Sequence, residues 1–351
     1  MRAVRYDAVG APPGVDDVAA PACPADGVVV AVRATGVCRS DWHAWRGHEA
    51  VPLPHVPGHE WSGEVVAAGP EVREFAVGDR VTAPFVHGCG HCDFCRSGEA
   101  QVCPFQTQPG FTHPGSWAER VALPAADTNL VRLPDGLDFV AAAGLGCRFA
   151  TAYRALTVHG RVRPGDWVAV FGCGGVGLST VMIATALGAR VVAVDVSPAG
   201  LGQAEALGAE VCVRATLGVD PSPAVHAATD GGARLSVDAY GSAATLDASV
   251  RSLRRRGRHL QVGLLGDNEA AALPWDLVIG RELEIYGSHG MPAVDYPGML
   301  NLIGRGILHP ELLVGRVITL EEAPAALMAM DAPASLHGGT TVIALPARPP
   351  G

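Results

Sequence analysis

Apolar residues follow two different patterns along this chain, and the change comes near residue 150. In the first part, β-branched runs are short and bounded by proline or glycine, as at 27–34 between Pro24 and Gly36, and again near 63–67. Runs of this kind predict short strands joined by turns. The first part is therefore expected to be rich in β-strand.

From about residue 150 to residue 287, short apolar runs alternate with helical stretches. Six of these runs predict strands, at 168–171, 191–194, 211–213, 235–239, 259–264 and 283–286. Because helical crossovers connect them, they indicate a parallel, doubly wound sheet. The expected fold class is α/β.

A glycine-rich turn joins the first two of these strands. A buried strand leads into Gly172, a helix is predicted over 176–187, and Asp195 ends the next strand. Such a turn alone is often no more than a turn, but this order is the Rossmann fingerprint for dinucleotides, whose diphosphate sits at the helix N-terminus. The turn residues expected to bind the cofactor are Gly172, Gly174, Gly175, Val176 and Gly177.

Asp195 indicates which dinucleotide is bound. Its carboxylate would accept hydrogen bonds from the adenosine ribose hydroxyls and would repel a 2′-phosphate. The residues that follow, Val196, Ser197 and Pro198, offer no arginine to hold such a phosphate. The expected cofactor is NAD rather than NADP.

Four of the nine cysteines crowd into 89–103, with the spacing C-x₂-C-x₂-C-x₇-C. Two CxxC steps suit tetrahedral zinc, and four thiolates leave no open position, so a structural site is expected. Spacing alone leaves an iron–sulfur centre or disulfides as alternatives. His87 and His91 are interpreted as bystanders, and the four ligands are Cys89, Cys92, Cys95 and Cys103.

Three other residues, Cys38, His59 and Cys147, lie at strand-to-loop junctions or in a small-residue turn. Singly, each is more often a core or surface residue than a ligand. Together they would make a Cys₂His zinc site with one open position, a ligand set that suits catalysis on alcohols.

Composition and charge narrow the function classes. The 351 residues suggest two domains, and 48% hydrophobic with 17% charged residues is a globular composition. A net charge of −9 argues against a surface that binds nucleic acid. All 26 basic residues are arginine, which excludes lysine chemistry, including the Tyr-x₃-Lys of short-chain reductases. No signal-peptide core or bilayer-length apolar helix is seen, so a cytoplasmic protein without a membrane partner is expected.

The arginine run Arg254-Arg255-Arg256, with Arg258, allows two interpretations. One is a nucleic-acid contact. The other, which we favour, is a helix end before Gly257, where cations complement the helix dipole.

Four segments together resemble one family. Residues 36–43, Gly58-His59-Glu60, the cysteine cluster and 172–177 are similar, in order and spacing, to the zinc-dependent alcohol dehydrogenases of the medium-chain dehydrogenase/reductase family. The resemblance covers nearly the whole chain. It implies a GroES-like β-rich catalytic domain made of 1–149 and 288–351, with a structural-zinc lobe at 88–104, and a Rossmann NAD-binding domain at 150–287. It also implies two zinc ions per chain, NAD, a small alcohol or aldehyde substrate, and a homodimer or homotetramer.

The resemblance also implies roles for single residues. Cys38, His59 and Cys147 would hold the catalytic zinc, with Glu60 behind it, and Asp41 would orient the histidine. Ser40 and His43 would relay the proton to solvent; the alternative for this stretch is a polar helix start with Ser40 or Asp41 as N-cap. The expected cofactor contacts outside the glycine turn are Arg39 at the diphosphate and Val262, Gly263, Leu264, Tyr286, Gly287 and Ser288 near the nicotinamide. The expected pocket residues, which could instead be core, are Phe85, Trp117 and Trp42.

One departure from the family's pattern stands near the C-terminus. The segment Gly338-Gly339-Thr340-Thr341-Val342 lies where many relatives carry a basic residue that contacts the diphosphate. Thr341 cannot supply that charge, and we expect Arg148 to pair with Glu60 instead.

The implied activity is the reversible oxidation of a primary or secondary alcohol, by hydride transfer from a zinc-bound alkoxide to NAD. Two alternatives stay open. One is a polyol or threonine-type dehydrogenase of the same family, and the other is a zinc-stabilised NAD-binding protein without catalysis.

Overall fold

The computed structural model describes residues 1–266, 271–332 and 339–346. Its strands are β1 (Arg2–Arg5), β2 (Gly14–Asp17), β3 (Val28–Val37), β4 (Trp61–Ala68), β5 (Arg80–Thr82), β6 (Arg120–Leu123), β7 (Val131–Arg132), β8 (Trp167–Phe171), β9 (Arg190–Asp195), β10 (Val211–Arg214), β11 (Ala233–Asp238), β12 (Leu253–Gln261), β13 (Glu284–Gly287), β14 (Val314–Ile318) and β15 (Thr340–Ala344). Its helices are α1 (Arg39–Trp45), α2 (Asp93–Arg96), α3 (Ala126–Asn129), α4 (Phe139–Ala143), α5 (Arg148–Arg154), α6 (Gly175–Ala186), α7 (Pro198–Ala206), α8 (Ser222–Ala228), α9 (Ala243–Arg251), α10 (Trp275–Gly280), α11 (Tyr296–Gly304) and α12 (Ala323–Ala329). No helix within these ranges has both the length and the apolar character needed to cross a bilayer.

A six-stranded parallel sheet forms the half of the molecule in which a dinucleotide site is expected, in the order β10-β9-β8-β11-β12-β13. Successive side chains of β8 point to opposite faces: Val168 and Val170 enter one apolar cluster, whereas Ala169 and Phe171 enter another. Because both faces are covered, the strand is a continuous apolar run in the sequence. The sheet confirms the predicted α/β class and its doubly wound arrangement.

The arginine run 254–256 lies in a strand. The favoured interpretation of this run as a helix end is therefore wrong. Helix α9 ends at Arg251, and β12 already begins at Leu253. In the ladder with β11, Leu253 pairs with Ala233 but Arg258 pairs with Leu235, so residues 254–257 bulge out of the register. The long bulge breaks the alternation of apolar residues, which hid the first half of the strand from the sequence pattern.

A second, mostly antiparallel sheet forms the other half, in the order β14-β15-β3-β4-β5-β7, with β6 also pairing β3. Strand β15 comes from the C-terminal part and pairs with β3, so that Thr341 lies opposite Val37, the residue before Cys38. The C-terminal strands therefore complete the sheet that carries the first candidate zinc ligand. Gly338, at the start of the segment that departs from the family's pattern, lies outside the described residues.

Candidate active site

Two thiols, one imidazole and one carboxylate meet between the two sheets. Ligand atoms of Cys38, His59, Glu60 and Cys147 all lie within 4.8 Å of one another. Cys38 follows β3, His59 and Glu60 precede β4, and Cys147 stands between a 3₁₀ turn and α5. Residues that are 109 positions apart in the sequence thus reach one point. Cys38, His59 and Cys147 among them are the Cys₂His set of three protein ligands that a catalytic zinc takes.

Asp41 holds the imidazole of His59 in place. Its Oδ1 lies 3.1 Å from His59 Nδ1 and accepts from the backbone N–H of Gly58 at 3.1 Å, and its Oδ2 accepts from the N–H of Cys38 at 2.9 Å. The other ring nitrogen, His59 Nε2, is buried and has no hydrogen-bond partner in the part of the chain that the structure describes. A buried imidazole held at one nitrogen and unpartnered at the other fits a metal ligand.

The alternative prediction for this stretch, that Ser40 or Asp41 is the N-cap residue of the helix, is wrong. Helix α1 has Cys38 as its N-cap residue, and Asp41 is the third helical residue, whose side chain accepts from the cap N–H. Asp41 therefore supports the helix start and orients His59 with the same carboxylate. Ser40 caps nothing.

Electrostatics favour an anionic sulfur at Cys38. The hydrogen bond with the Cys147 thiol and then the neighbouring His59 hold the pKa of Cys38 well below its ordinary value, against the effect of burial. A lowered thiol pKa increases the fraction of the thiolate, which is the form that binds metal.

Arg148 pairs with Glu60 behind this cluster. Its Nε donates to Glu60 Oε1 at 2.8 Å, its Nη2 donates to Glu60 Oε2, and its backbone N–H donates to Oε1 at 3.2 Å. The guanidinium also reaches the glycine turn, because a Cβ on Gly175 would collide with the Arg148 side chain. Burial raises the pKa of Glu60, and the charge of Arg148 opposes that rise.

The residues expected to form a proton relay are only partly connected. Ser40 Oγ lies 3.8 Å from Cys38 Sγ, next to the candidate metal. Within the described residues, His43 does not hydrogen-bond Ser40; its Nδ1 lies 3.0 Å from Nδ1 of the exposed His48. Burial first, and then the charges of Arg39 and His48, lower the pKa of His43. His48 was missed in the sequence because nothing in its spacing separates it from a surface histidine.

Aromatic rings surround His59 on its open side. The ring of Phe85 lies 6.2 Å and that of Phe111 5.2 Å from the His59 ring, and His289 packs edge-on against Phe85 at 5.2 Å. Phe85 thus lies where a substrate pocket was expected. Phe111 and His289 were missed, because their proximity depends on loop conformations that carry no sequence signal.

Trp117 and Trp42 do not lie where a substrate channel was expected. Trp117 is completely buried and donates from Nε1 to the carbonyl oxygen of Gly36 at 3.0 Å, so it is a core residue. Trp42 faces away, donating from Nε1 to Asp331 at 2.8 Å, with Arg39 stacked 3.7 Å above its ring. Large apolar side chains near ligands in the sequence were as compatible with core as with pocket.

The glycine turn has the backbone that a dinucleotide site needs. Gly172 has φ +94°, a conformation that glycine adopts without strain, and a Cβ on Gly177 would collide with the Gly172 carbonyl oxygen. A Cβ on Gly174 would meet nothing within 4 Å, so space stays open beside the N-terminus of α6. Asp195 Oδ2 accepts from the Cys173 N–H at 2.5 Å, which holds the acidic residue against the turn.

The other expected cofactor contacts divide into two groups. The backbone N–H groups of Val262 and Gly263 bind the carbonyl oxygen of Asp238, at the carboxyl end of β11, and the buried Oγ of Ser288 has no partner among the described residues. Gly287 and Leu264 are exposed. In contrast, the Tyr286 side chain turns away to bind Glu284 and stack on His159, and Arg39 donates to the Met330 carbonyl oxygen at 2.6 Å.

The four-cysteine cluster is compact. The Sγ atoms of Cys89, Cys92, Cys95 and Cys103 lie within 4.8 Å of one another, with Cys92 Sγ 3.5 Å from Cys95 Sγ and 3.6 Å from Cys103 Sγ. Disulfide sulfurs would be about 2 Å apart, whereas tetrahedral zinc with bonds of about 2.3 Å separates its thiolates by about 3.8 Å. Backbone N–H groups of Cys95 and Phe105 point at these sulfurs, as they would towards thiolates.

Comparison with known proteins shows the family to which this chain belongs. The family profile of the alcohol dehydrogenase GroES-like domain matches residues 24–135, and that of the zinc-binding dehydrogenases matches residues 175–305. An alcohol dehydrogenase of Geobacillus stearothermophilus is 38% identical over 267 residues, 75% of this chain and 78% of that protein. D-arabitol-phosphate dehydrogenase of Enterococcus avium is 32% identical over 88% of this chain and 90% of its own length. The solved structure of an alcohol dehydrogenase from Thermus sp. ATN1 superposes with a TM-score of 0.90 at 32% identity, covering 99% of this chain and 100% of that one. The chain therefore belongs to the zinc-dependent alcohol dehydrogenases of the medium-chain dehydrogenase/reductase family.

Proposed function

We propose that this protein is an NAD-linked enzyme that oxidises primary or secondary alcohols to aldehydes or ketones, with one catalytic and one structural zinc per chain. The observation that carries the proposal is the convergence of Cys38, His59 and Cys147 around the unpartnered Nε2 of His59. The side chain of Arg148, the residue after Cys147, reaches Gly175, so the glycine turn lies close to that point, which supports a dinucleotide beside it.

Different residues would bind the metal, orient its ligand and accept the proton. Cys38, His59 and Cys147 would hold a zinc ion, which when bound acts as a Lewis acid that lowers the pKa of an alcohol hydroxyl. Asp41 fixes the ring of His59, and Ser40, beside Cys38, is placed to receive the hydroxyl proton.

Beyond Ser40, the imidazoles of His43 and His48 form a 3.0 Å step toward solvent, and a lowered pKa keeps His43 neutral and able to accept a proton at neutral pH. Because Ser40 and His43 are not in direct contact, the proposed relay needs a bridging group, such as a water or a cofactor hydroxyl. The apolar rings of Phe85 and Phe111 would keep bulk water from the reacting atoms.

We infer NAD as the cofactor from the position of one carboxylate. Asp195 ends β9 beside the glycine turn and is fixed by the N–H groups of Cys173 at 2.5 Å and Ser197 at 2.7 Å. A negative charge there favours ribose hydroxyls and disfavours a 2′-phosphate. The hydride acceptor itself belongs to the cofactor, and the chain positions it.

The test combines activity with metal content on one sample. We expect NADH production with a panel of primary and secondary alcohols, together with about two zinc ions per chain. His59→Ala and Cys38→Ser should abolish turnover and lower the zinc content toward one, while NADH binding measured by fluorescence persists. If the purified protein holds zinc at the four-cysteine cluster only, the catalytic proposal is wrong, and the chain is a zinc-stabilised NAD-binding protein.

A polyol or threonine-type dehydrogenase is the second candidate, favoured by the relative named D-arabitol-phosphate dehydrogenase. The same panel separates the two if it includes polyols, their phosphates and threonine. A kcat/KM for one of these that exceeds every simple alcohol would select the second candidate. Family resemblance further supports a homodimer or homotetramer, which sedimentation would measure.

A further inference from the structure

Five arginine side chains line one cavity at the amino ends of the parallel strands. The glycine turn lies at the opposite, carboxyl ends. The cavity has a volume of about 200 Å³, and its lining residues are Arg161, Arg163, Asp166, Arg234, Arg254 and Arg258. Because a water molecule takes about 30 Å³ in the liquid, the cavity has room for an anion of several non-hydrogen atoms. The cavity lies where β8, β11 and β12 begin, and the glycine turn follows the other end of β8. The length of β8, about 15 Å, therefore separates the cavity from the glycine turn.

The cavity has a buried floor and an open rim. Arg258 is only 7% exposed, and its Nε lies 3.0 Å from Glu284 Oε1. Arg234 is half-buried and donates from Nη1 to the carbonyl oxygen of Arg256 at 3.1 Å. The exposed rim residues are Arg161, Arg163 and Arg254.

Most of the positive charge in this cavity is uncompensated. Among the described residues, Arg161, Arg163, Arg234 and Arg254 form no ion pair. The pKa of Arg234 is lowered, first by burial and then by the charge of Arg258. A guanidinium does not lose its proton at neutral pH, so this repulsion persists until an anion offsets it.

The lack of acidic partners here is local. The chain carries a net charge of −9, and arginines on the same sheet have carboxylates beside them, Arg190 with Glu210 and Arg256 with Glu282. The long bulge at 254–257, which breaks the register of β12, is what brings Arg254 to the cavity. The cluster of unpaired arginines is therefore a feature of this place in the fold and not a general excess of arginine.

We propose that this cavity binds a small metabolite carrying two phosphate groups. Arg258 is neutralised by Glu284, so the four other guanidinium groups face one carboxylate, that of Asp166. Each phosphate monoester carries a charge of about −1.5 to −2 at pH 7, so two of them match the charge that remains. Guanidinium forks bind phosphate oxygens in pairs, which gives geometric fit as well as attraction. A cavity of this size, in contrast to a long basic stripe on a surface, suits a small molecule better than the backbone of a nucleic acid. The proposal does not depend on the redox function.

Fructose 1,6-bisphosphate is the probe, titrated calorimetrically into the zinc-loaded protein saturated with NADH, so that the dinucleotide site is already filled. We expect one saturable site per chain. Replacing two exposed rim residues, Arg161→Gln with Arg163→Gln, should weaken binding by about tenfold or more, because each removes a charge-assisted hydrogen bond. Rim variants are chosen because Arg258 is buried and paired, and its removal could prevent folding.

Arg305→Gln is the matched control, an exposed arginine outside the cavity that forms no ion pair among the described residues, and its affinity should equal that of the parent. Inorganic phosphate should bind more weakly than the bisphosphate. The proposal is overturned if no binding is detected at millimolar concentration, or if the rim variant binds as tightly as the control. Equal affinity for inorganic phosphate, or tighter binding of a single-stranded oligonucleotide, would also overturn it. If NADH alone fails to bind, the proposed redox function fails, and the anion result stands separately.

Discussion

Arg148 and Glu60 form a buried ion pair directly behind the candidate catalytic zinc, with Arg148 Nε 2.8 Å from Glu60 Oε1. The pair also lies against the glycine turn, since Glu60 precedes β4 and Arg148, which begins α5, touches Gly175. Arg148 thus places a cation beside the turn where we propose that the cofactor diphosphate binds.

Arg148→Met should leave the carboxylate of Glu60 buried and unpaired. Removing one partner of a buried pair costs about 3–5 kcal/mol, so we expect a lower unfolding midpoint, faster loss of zinc to a chelator, and reduced turnover. Urea denaturation and a chelator-competition assay measure the first two effects. The double variant Glu60→Gln with Arg148→Met should recover part of the stability, since no charge is left buried. Unchanged zinc retention and turnover in Arg148→Met would contradict the role assigned to this pair.

Asp195→Asn removes one negative charge at the end of β9 and keeps one of the two oxygens that accept from the Cys173 and Ser197 N–H groups. The ratio of kcat/KM for NADP to that for NAD should rise by about tenfold or more, because a charged oxygen no longer faces the 2′-phosphate. Ser197→Ala, which keeps the charge, is the control and should not change the ratio. If Asp195→Asn leaves the preference unchanged, another residue selects the cofactor.

The ligand sets could be predicted from the sequence because their chemistry depends on residue type and local spacing. Cys89 to Cys103 supply four sulfurs within one loop, and the backbone at Gly172 and Gly177 admits only glycine. Predictions that depend on side-chain direction were less successful. Trp117 and Tyr286 have suitable positions in the sequence, but one is core and the other turns toward Glu284. Neighbours such as His48 and Phe111 are set by loop packing, which leaves no periodic signal.

Cys95→Ser should remove one sulfur from the four-cysteine cluster and leave the catalytic cluster intact. We expect the zinc content to fall by about one ion per chain and the Tm to drop, since a structural zinc site contributes directly to folding. Metal analysis and calorimetry measure both. Cys212→Ser is the control, an exposed cysteine outside both clusters. A Cys95→Ser protein that keeps both its zinc content and its Tm would show that Cys95 is not a required zinc ligand.

His43→Ala should slow turnover, and more at low pH than at high pH. At high pH, hydroxide can take the proton that the imidazole would otherwise carry, so the loss should shrink. His48→Ala should show a smaller effect of the same form, because His48 lies 3.0 Å further along from His43 Nδ1. The measurement is kcat across a pH series, with added imidazole as a rescue. A loss that is equal at every pH, and that imidazole does not restore, would remove His43 from the relay.

His259, in β12, is completely buried, and burial lowers its pKa below the ordinary value of 6.5. Its Nδ1 lies 3.0 Å from Ser249 Oγ, and its Nε2 lies 2.9 Å from Gln261 Oε1, whose amide in turn donates to Asp238 and the Gly263 carbonyl oxygen. Because the unfolded chain binds a proton at pH values where the folded protein does not, this group stabilises the fold above pH 6.5, and that stability is lost as the pH falls below it. The free energy of unfolding should fall by at most about 1.4 kcal/mol per pH unit from this residue.

His259→Gln should flatten the stability profile between pH 6.5 and 5 in urea denaturation, whereas the exposed His309→Gln should not. Parallel profiles for parent and His259→Gln would mean that other buried histidines cause the acid sensitivity.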